Sequence, residues 1–212
     1  VASVGGDGMV SHLVGPASAA DVPLAVVPAG RGNDFARMLG LPDDPALVAR
    51  TLAAGAERRV DLVSWRRPGA PDAVVAGSVY SGIDARAAML VHRMRRTPGP
   101  LQYPLGALRA IATYAPGRFR LDVDGVVHEV DAGMVVLANS GFYGKGMRIA
   151  PAANLEDGVL DVVIVAAASR LRLVRSFPSI YDGSHVERPE VTVLRGRRIG
   201  LAADPAAGRP AL

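Results

Sequence analysis

The first 54 residues alternate short apolar runs with segments of helical periodicity. Val1–Val4 and Leu24–Val27 are apolar runs of strand length, and the pattern predicts helices over Met9–Ala19, Asp34–Leu39 and Pro45–Ala54. Strands that alternate with helices are typical of a parallel α/β sheet. We therefore predict that residues 1–57 form the C-terminal part of a Rossmann-like α/β domain.

From residue 58 onward, apolar and polar positions alternate with a period of two, which is typical of strands. Strands are predicted over residues 58–65, 73–80, 132–140, 158–168, 190–196 and 197–203, with a hairpin over residues 118–130. Asp124 and Gly125 occupy the two-residue turn of that hairpin. Helices are predicted over Asp84–Arg95, Leu101–Tyr114 and Ser169–Phe177, the second disturbed at Pro104. Residues 58–212 are thus predicted to be a mostly antiparallel, β-rich domain.

Two glycine-rich loops follow the two predicted strands of the α/β segment. Gly5, Gly6 and Gly8 follow the first strand, and Gly30 and Gly32 follow the second. Such loops expose backbone N–H groups at helix N-termini, which favours phosphate, and parallel strands place both loops at one edge of the sheet. Neither loop has the spacing of a Walker A motif or a dinucleotide fingerprint. An ordinary tight turn is the alternative for each loop.

Four polar residues flank these glycines. Arg31 is placed to reach a phosphate oxygen, and Asn33 and Asp34 are placed to cap the following helix. Asp7 would repel a phosphate unless it accepts N–H groups at a helix start or approaches a nucleotide-bound Mg²⁺. The sequence does not separate these two roles for Asp7.

The composition narrows the class of protein. Half of the 212 residues are hydrophobic and 21% are charged, which argues against a disordered chain, and no cysteine is present for disulfides or thiolate sites. No apolar run is long enough to cross a bilayer. The net charge is +4, and every basic residue except Lys145 is an arginine. Anionic partners or a GC-rich genome would each account for the arginines, but few aromatic residues lie between them, so we expect no nucleic-acid partner.

Four motifs occur in an order that resembles a known family. They are "GGDG", "VPAGRGNDFARMLGLP", "GSVYSGIDA" and "IAPAANLEDGVLDVVIV". Together they resemble the catalytic region of diacylglycerol kinase-like lipid kinases, which share a fold with NAD kinase. The resemblance implies a β-sandwich-like second domain and an ATP-dependent enzyme that phosphorylates a hydroxyl of diacylglycerol or a related lipid.

The resemblance also implies roles for individual residues. ATP phosphates would lie over Gly5–Gly8 and Gly30–Gly32, with Arg31 and Asn33 in the same loop. Asp7, Asp34 and Asp61 match the active-site network, in which Asp61 supports the catalytic glutamate, a general base. Asp84 matches a position that faces the lipid substrate, although a helix N-cap is an equal alternative.

The loop "NLEDGVLD" matches a structural Mg²⁺ loop of the family. The matching ligands are Asn154, the Asp157 carboxylate and the Val159 carbonyl. Asn154 replaces an aspartate that is common there, which removes a charge and should weaken the site. An Asp-Gly turn without an ion is the alternative.

Three departures from the family pattern leave alternatives open. Met9 and Arg31 stand where threonine is common, and no "DGE"-like catalytic base follows the last predicted strand. We expect the chain to be an inactive fragment that ends before this base. If Ala206 instead occupies the base position, the protein is a non-catalytic nucleotide- or lipid-binding pseudokinase. An NAD kinase is a weaker alternative, because its later Asn-Glu motif is not found.

The expected partners are ATP and a lipid. The segment "VHRMRRTPGP" (residues 91–100), Arg86 and Arg109 form a basic cluster that would attract anionic lipid head groups, with a solvated helix face as the alternative. We expect a cytoplasmic protein in peripheral contact with the inner membrane face. A homodimer stays open.

Overall fold

The computed structural model describes residues 1–94 and 98–203, apart from the side chains of residues 92, 93, 99, 100 and 103. Three predictions fall partly on other residues. The end of the predicted helix at Arg95 and residues 95–97 of the basic cluster lie outside the described residues. The same holds for residues 204–212, which include Ala206.

The α/β part is a two-stranded parallel sheet with three helices. Its elements are β1 (Ala2–Gly5), α1 (Asp7–Ala19), β2 (Ala25–Pro28), α2 (Asp34–Met38) and α3 (Pro45–Ala54). Strands β1 and β2 pair in parallel, with Ala2 opposite Ala25 and Gly5 opposite Pro28. The carboxyl ends of both strands therefore meet at one edge, as predicted.

The core of this part continues into the rest of the chain. Val10 and Val14, one helical turn apart on α1, are buried together with Phe35 of α2. Ala76 and Leu155, from distant segments, complete the same core. The α/β part thus packs directly on the β-rich part.

In residues 58–94 and 98–203, the β-rich part has eight strands and four helices. Its elements are β3 (Val63–Trp65), β4 (Ala73–Val75), β5 (Ser78–Gly82), α4 (Ile83–Arg93), α5 (Gly99–Ala112), β6 (Gly117–Val123), β7 (Val126–Ala138), β8 (Leu160–Ala166), α6 (Arg170–Ser176), α7 (Ser179–Asp182), β9 (Val191–Gly196) and β10 (Ile199–Ala203), with a 3₁₀ turn at Ser184–Glu187. The large sheet has the order β10-β6-β7-β8-β9, β5 also pairs with β7, and all its pairs are antiparallel. Strands β3 and β4 form a separate antiparallel pair.

Strand β7 is the centre of the large sheet. Its first half pairs with β6, and its second half pairs with β5 along the same edge and with β8 along the other. The change of partner falls at Gly133, where the register with β8 shifts between Ala132 and Met134. A Cβ at Gly133 would lie 2.9 Å from the Tyr114 ring, so only glycine fits there without movement.

Both faces of the central strands are buried. Val135 and Leu137 of β7 face one core, which includes Phe119, whereas Met134 and Val136 face a second core, which includes residues of α5 and α6. Strands covered on both sides are typical of a sandwich-like arrangement. The predicted fold class, α/β followed by a mostly antiparallel β-rich part, is confirmed.

Several element predictions were wrong in detail. The predicted strand over residues 73–80 is two strands, because the chain leaves β4 at Ala76 and Gly77 and joins a different sheet. Conversely, a break was predicted between the hairpin and the strand at residues 132–140, but residues 126–138 form one strand. The strand continues because the chain passes Gly133 with only a shift of register. The strand predicted over residues 58–65 is confined to β3, and α5 continues through Pro104. None of the helices in residues 1–94 and 98–203 has the length and apolar character of a membrane span.

Candidate active site

The two glycine loops lie in backbone contact. A Cβ on Gly30 would lie 2.2 Å from the Cα of Gly6, and a Cβ on Gly32 would lie 2.9 Å from Asp7 Oδ2. Asn33, with φ 55°, ties the second loop together, since its Oδ1 accepts the Gly30 N–H at 2.9 Å. The absence of side chains at these glycines is therefore what lets the loops approach each other.

The structure corrects two expectations about these loops. Gly8 lies inside α1, which begins at Asp7, because the chain turns helical directly after Gly6. Asn33 is at the N-cap position of α2, yet its side chain makes no capping bond because it is committed to Gly30. The capping acceptor is instead Asp7, whose Oδ1 accepts the Phe35 N–H at 2.8 Å.

Asp34 fastens the α/β part to the β-rich part. Its two carboxylate oxygens accept the backbone N–H groups of Lys145 and Gly146, each at 2.7 Å, and Oδ1 pairs with Arg37 at 2.5 Å. Asp34 is only 6% exposed, and burial raises its pKa against the lowering effect of these bonds. The repulsion from nearby Asp7 adds to the increase. The predicted helix cap at Asp34 is thus an acceptor for a distant turn.

Arg31 also connects the two parts of the molecule. Its guanidinium donates to Gln102 Oε1 on α5 at 2.9 Å, and Gln102 in turn donates to the Met94 carbonyl at 3.0 Å. Arg31 itself is exposed. The arginine of the second glycine loop is therefore oriented toward α5.

A cavity of about 850 Å³ opens beside the glycine loops. At one end it is lined by Asp7, Gly8, Arg31 and Asp34. At the other end it enters the core between the large sheet and the helices, where its lining is apolar and includes Ile83, Ala87, Val91, Ala107, Ile111, Met134, Val165, Leu173, Phe177 and Ile180. One continuous space therefore joins the polar residues Asp7, Arg31 and Asp34, which flank the glycine loops, to an apolar interior.

Asp84 also lines this cavity. It is in the first turn of α4 and accepts a hydrogen bond from the Tyr143 hydroxyl at 3.0 Å. Burial raises the pKa of Asp84 to about 7, while the bond from Tyr143 opposes this increase. The Tyr143 pKa rises well above 10 by burial and by the proximity of Asp84. The predicted lipid-facing residue thus lines the cavity, and its pKa is raised toward neutrality.

Asp61 belongs to a different part of the structure. Its Oδ2 accepts the Gly158 N–H at 2.6 Å, its own N–H donates to the Leu155 carbonyl at 2.6 Å, and its carbonyl accepts from Asn139 Nδ2 at 2.8 Å. Within the described residues, Asp61 does not line the cavity, unlike Asp7 and Asp34. Its role beside a catalytic glutamate stays a prediction.

The loop implied to hold a Mg²⁺ uses its oxygens elsewhere. Asn154 Oδ1 accepts the Glu156 N–H at 3.1 Å, and Asp157 Oδ1 accepts the Val159 N–H at 3.0 Å. Asp157 Oδ2 accepts a hydrogen bond from Arg195. Magnesium takes six oxygen ligands in near-octahedral geometry, and a guanidinium on a ligand carboxylate opposes a second cation. The side chains as arranged do not fit the ion, and no cluster of three acidic or histidine side chains suited to a metal occurs in residues 1–94 and 98–203.

Four contributors to these contacts were missed from the sequence. They are Gln102, Asn139, Tyr143 and Arg195. The only local signal was the glycine-rich run "SGFYGKG" (residues 140–146), which contains Tyr143 and the turn that binds Asp34. The other three lie in regular helix or strand patterns, where periodicity does not distinguish them from ordinary polar residues of those elements.

Two family models match the chain. One, described as the diacylglycerol kinase catalytic domain, matches residues 1–65, and the other, described as the YegS C-terminal NAD kinase beta sandwich-like domain, matches residues 77–210. The predicted division after residue 57 stays a prediction.

Individual relatives agree with these matches. A protein named diacylglycerol kinase from Mycobacterium tuberculosis (strain H37Rv) is 34% identical over 197 residues, covering 92% of this chain and 64% of its own length. One of the same name from Bacillus subtilis (strain 168) is 26% identical over 210 residues, covering 94% and 65%. The chain therefore spans just under two thirds of these relatives.

Solved structures share the fold. One from Bacillus anthracis str. Sterne covers 96% of this chain and 67% of that chain, with a TM-score of 0.74 at 21% identity. Another from the same strain, described as a diacylglycerol kinase, has a TM-score of 0.68 at 18% identity. At these identities the likeness establishes the architecture alone.

Proposed function

Because the chain belongs to the diacylglycerol kinase-like lipid kinase family, we propose that the protein transfers the γ-phosphoryl group of ATP to a hydroxyl of diacylglycerol or a related lipid. The observation that carries this proposal is the cavity, since a single space joins Asp7, Arg31 and Asp34, beside the glycine loops, to an apolar interior. A phosphate donor at the loops and an acyl chain in the interior would meet where the cavity changes from polar to apolar.

The glycine-loop end suits the phosphates of ATP. The close contact of Gly6 and Gly30 leaves an edge of backbone without side chains, and the N-terminus of α1 begins directly beside it. Such an edge offers N–H donors and a positive helix end to an anion. Arg31 adds a guanidinium at the same mouth.

Asp7 and Asp34 are the residues that would stand beside Mg²⁺ carried with ATP. Both line the cavity mouth, and carboxylate oxygens are the ligand type that Mg²⁺ prefers. The ion would neutralise negative charge on the transferring phosphoryl group. Because Asp34 is committed to the turn at Lys145 and Gly146, Asp7 is the better placed of the two.

The apolar end suits an acyl chain. Helices α4 and α5 wall this end with Ala87, Val91, Ala107 and Ile111. Burial of acyl methylenes against such walls is favourable by roughly 0.8 kcal/mol each. Asp84 lines the same cavity and would hydrogen-bond a lipid hydroxyl.

The outer face of α5 suits contact with a membrane that supplies the lipid. Leu101, Leu105 and Leu108 recur at i, i+4 and i+7 and are 52%, 44% and 40% exposed. Arg109 beside them is also exposed. An exposed apolar stripe with basic neighbours is the pattern of an interfacial helix. The same helix would therefore contact the bilayer outside and the acyl chain inside.

The full-length protein tests this proposal with radiolabelled ATP and three acceptors: diacylglycerol in vesicles, sphingosine and NAD. We expect a labelled phospholipid from diacylglycerol or sphingosine and none from NAD. Asp7→Asn should lower turnover about 100-fold with little change in melting temperature, because Asn retains an oxygen acceptor for the Phe35 N–H.

Other results would contradict the proposal. Labelling of NAD alone would indicate an NAD kinase. Binding of ATP and lipid with no transfer to any acceptor would indicate the pseudokinase. If Asp7→Asn turned over as fast as the wild type, the glycine loops would not take part in phosphoryl transfer.

A further inference from the structure

We propose that Arg195 is the permanent cation of the loop at residues 154–159, in the place that the family resemblance gives to a structural Mg²⁺. The loop is thereby fixed by a side chain of the neighbouring strand instead of a dissociable metal ion. This inference concerns the fold of the loop and stands independently of the proposed kinase reaction.

Arg195 contacts two carboxylates at once. It lies on β9 directly across from Asp161 of β8, and its Nε is 3.5 Å from Asp161 Oδ1. Its Nη2 donates to Asp157 Oδ2. One guanidinium therefore joins the loop before β8 to the start of the strand itself.

The burial of Asp161 explains why a cation is needed there. Asp161 is 2% exposed, and its Oδ2 has no hydrogen-bond partner within the described residues. A buried carboxylate without a cation is strongly unfavourable, whereas a planar guanidinium can serve two carboxylates with its separate N–H groups. Arg195 is itself half-exposed, which lowers its own desolvation cost.

The remaining oxygens of the loop agree with a resident arginine. Both oxygens of Asp157 accept hydrogen bonds, one from Val159 and one from Arg195, and Asn154 turns its oxygen to Glu156. Asn154 also brings no negative charge, so the loop holds one carboxylate fewer than an acidic residue there would give. With Arg195 present, the net charge of Asp157, Asp161 and Arg195 together is −1 (two carboxylates and one guanidinium) instead of −2.

The loop at residues 154–159 also fixes the position of the Asp61 side chain. The Gly158 N–H, next to Asp157, donates to Asp61 Oδ2 at 2.6 Å. Gly158 has a φ of 66°, a conformation that glycine adopts without strain. Fixing Asp157 from one side and Asp61 from the other keeps this turn in one conformation without metal.

The experiment measures thermal unfolding of the nucleotide-free, full-length protein in EDTA and in millimolar MgCl₂ at equal ionic strength. Arg195→Met removes the cation but keeps a long side chain. Arg120→Met is the matched control, because Arg120 also lies across from an acidic residue, Glu129, at 3.2 Å, but in a pair that is about 60% exposed on both sides. A third variant, Arg195→Met/Asp161→Asn, removes the buried charge together with its partner.

We expect the wild-type melting temperature to be the same in EDTA and Mg²⁺. Arg195→Met should lower it by about 5–10 °C and Arg120→Met by no more than about 2 °C, because only the first leaves a buried carboxylate uncompensated. The double variant should recover part of the loss. If Arg195→Met does not fold, recovery of folding in the double variant gives the same support.

Three results would overturn the proposal. The first is a wild-type melting temperature that falls by several degrees in EDTA and returns specifically with Mg²⁺, which would identify a metal as the cation. The second is an Arg195→Met protein as stable as Arg120→Met, which would show that the arginine is dispensable. The third is an Arg195→Met/Asp161→Asn protein that fails to fold along with the single variant.

Discussion

The two ends of the candidate site are built by different means. At the glycine loops, the shape of the backbone makes the site: Gly6 and Gly30 touch, and any added side chain would collide with the facing loop. In the β-rich part, side chains from distant segments make the site, such as the pair of Asp84 on α4 and Tyr143.

This difference determines what each end tolerates. The glycine-loop end depends on space, so a single methyl group should damage it while a change of charge leaves its shape. The β-rich end depends on buried polar pairs, so changes of charge and of pH should dominate there. Substitutions chosen for volume at one end and for charge at the other therefore separate the two kinds of construction.

Gly30→Ala should have the largest effect. Its Cβ would lie 2.2 Å from Gly6 Cα and 2.7 Å from Gly6 N, and backbone atoms cannot rotate away as a side chain can. We expect a loss of about 3 kcal/mol in the free energy of unfolding, measured by urea denaturation, with loss of ATP binding. Gly8→Ala is the control, since nothing lies within 4 Å of its added Cβ. Equal stability of the two variants would show that the loops are not in contact.

Asp84→Asn should change the pH dependence of folding stability, because it removes the titratable carboxyl group of the β-rich end. Because the pKa of Asp84 is about 7 in the folded protein and 3.8 ordinarily, the folded state binds a proton that the unfolded state lacks between these values. Wild-type stability should therefore decline as pH rises from 4 through 7. The variant lacks this decline, so its stability relative to the wild type should increase by about 2–3 kcal/mol between pH 5 and pH 8. Parallel pH profiles of the two proteins in thermal unfolding would contradict the assignment.

Asp34→Ala should weaken the contact between the two parts. It leaves the N–H groups of Lys145 and Gly146 without their acceptors, while it also relieves the burial of a carboxylate. The net loss should be about 2 kcal/mol, measured by urea denaturation. Hydrogen exchange should show faster exchange at the turn of residues 143–147 and little change in β8. Unchanged exchange at Lys145 and Gly146 would show that Asp34 does not hold this turn.

The glycine-loop end could be predicted from the sequence because its information is local. The apolar runs gave β1 and β2, the glycines between strand and helix gave the loops, and the parallel pairing placed them side by side. The side chains that hold the loops in place could not be predicted from local sequence. Asp7 caps α2 across 28 residues, and Arg31 reaches Gln102 across 71, and no pattern within one element encodes such pairs.

The β-rich part was predictable as a class but not in its connections. Period-two alternation identified its strands, yet it does not state where a strand changes partner, as β7 does at Gly133. The same holds for Arg195. Its position in the alternating pattern is that of an ordinary strand residue, and its contact with Asp161 follows only from the pairing of β9 with β8. Long-range pairing decides these features, and a single sequence leaves it open.

Asp44→Ala should have the smallest of these effects. It measures how much of the loss of unfolding free energy in Asp34→Ala depends on burial of the carboxylate. Asp44 also accepts two backbone N–H groups, from Ala46 at 2.7 Å and Leu47 at 3.3 Å, but it is an exposed N-cap of α3. Water replaces the lost acceptor at an exposed helix end, so we expect a loss of about 1 kcal/mol. Asp43→Ala, at the adjacent exposed position, controls for the change of charge. Urea denaturation of the three proteins checks the order, and a loss at Asp44 as large as that at Asp34 would show that burial does not set the difference.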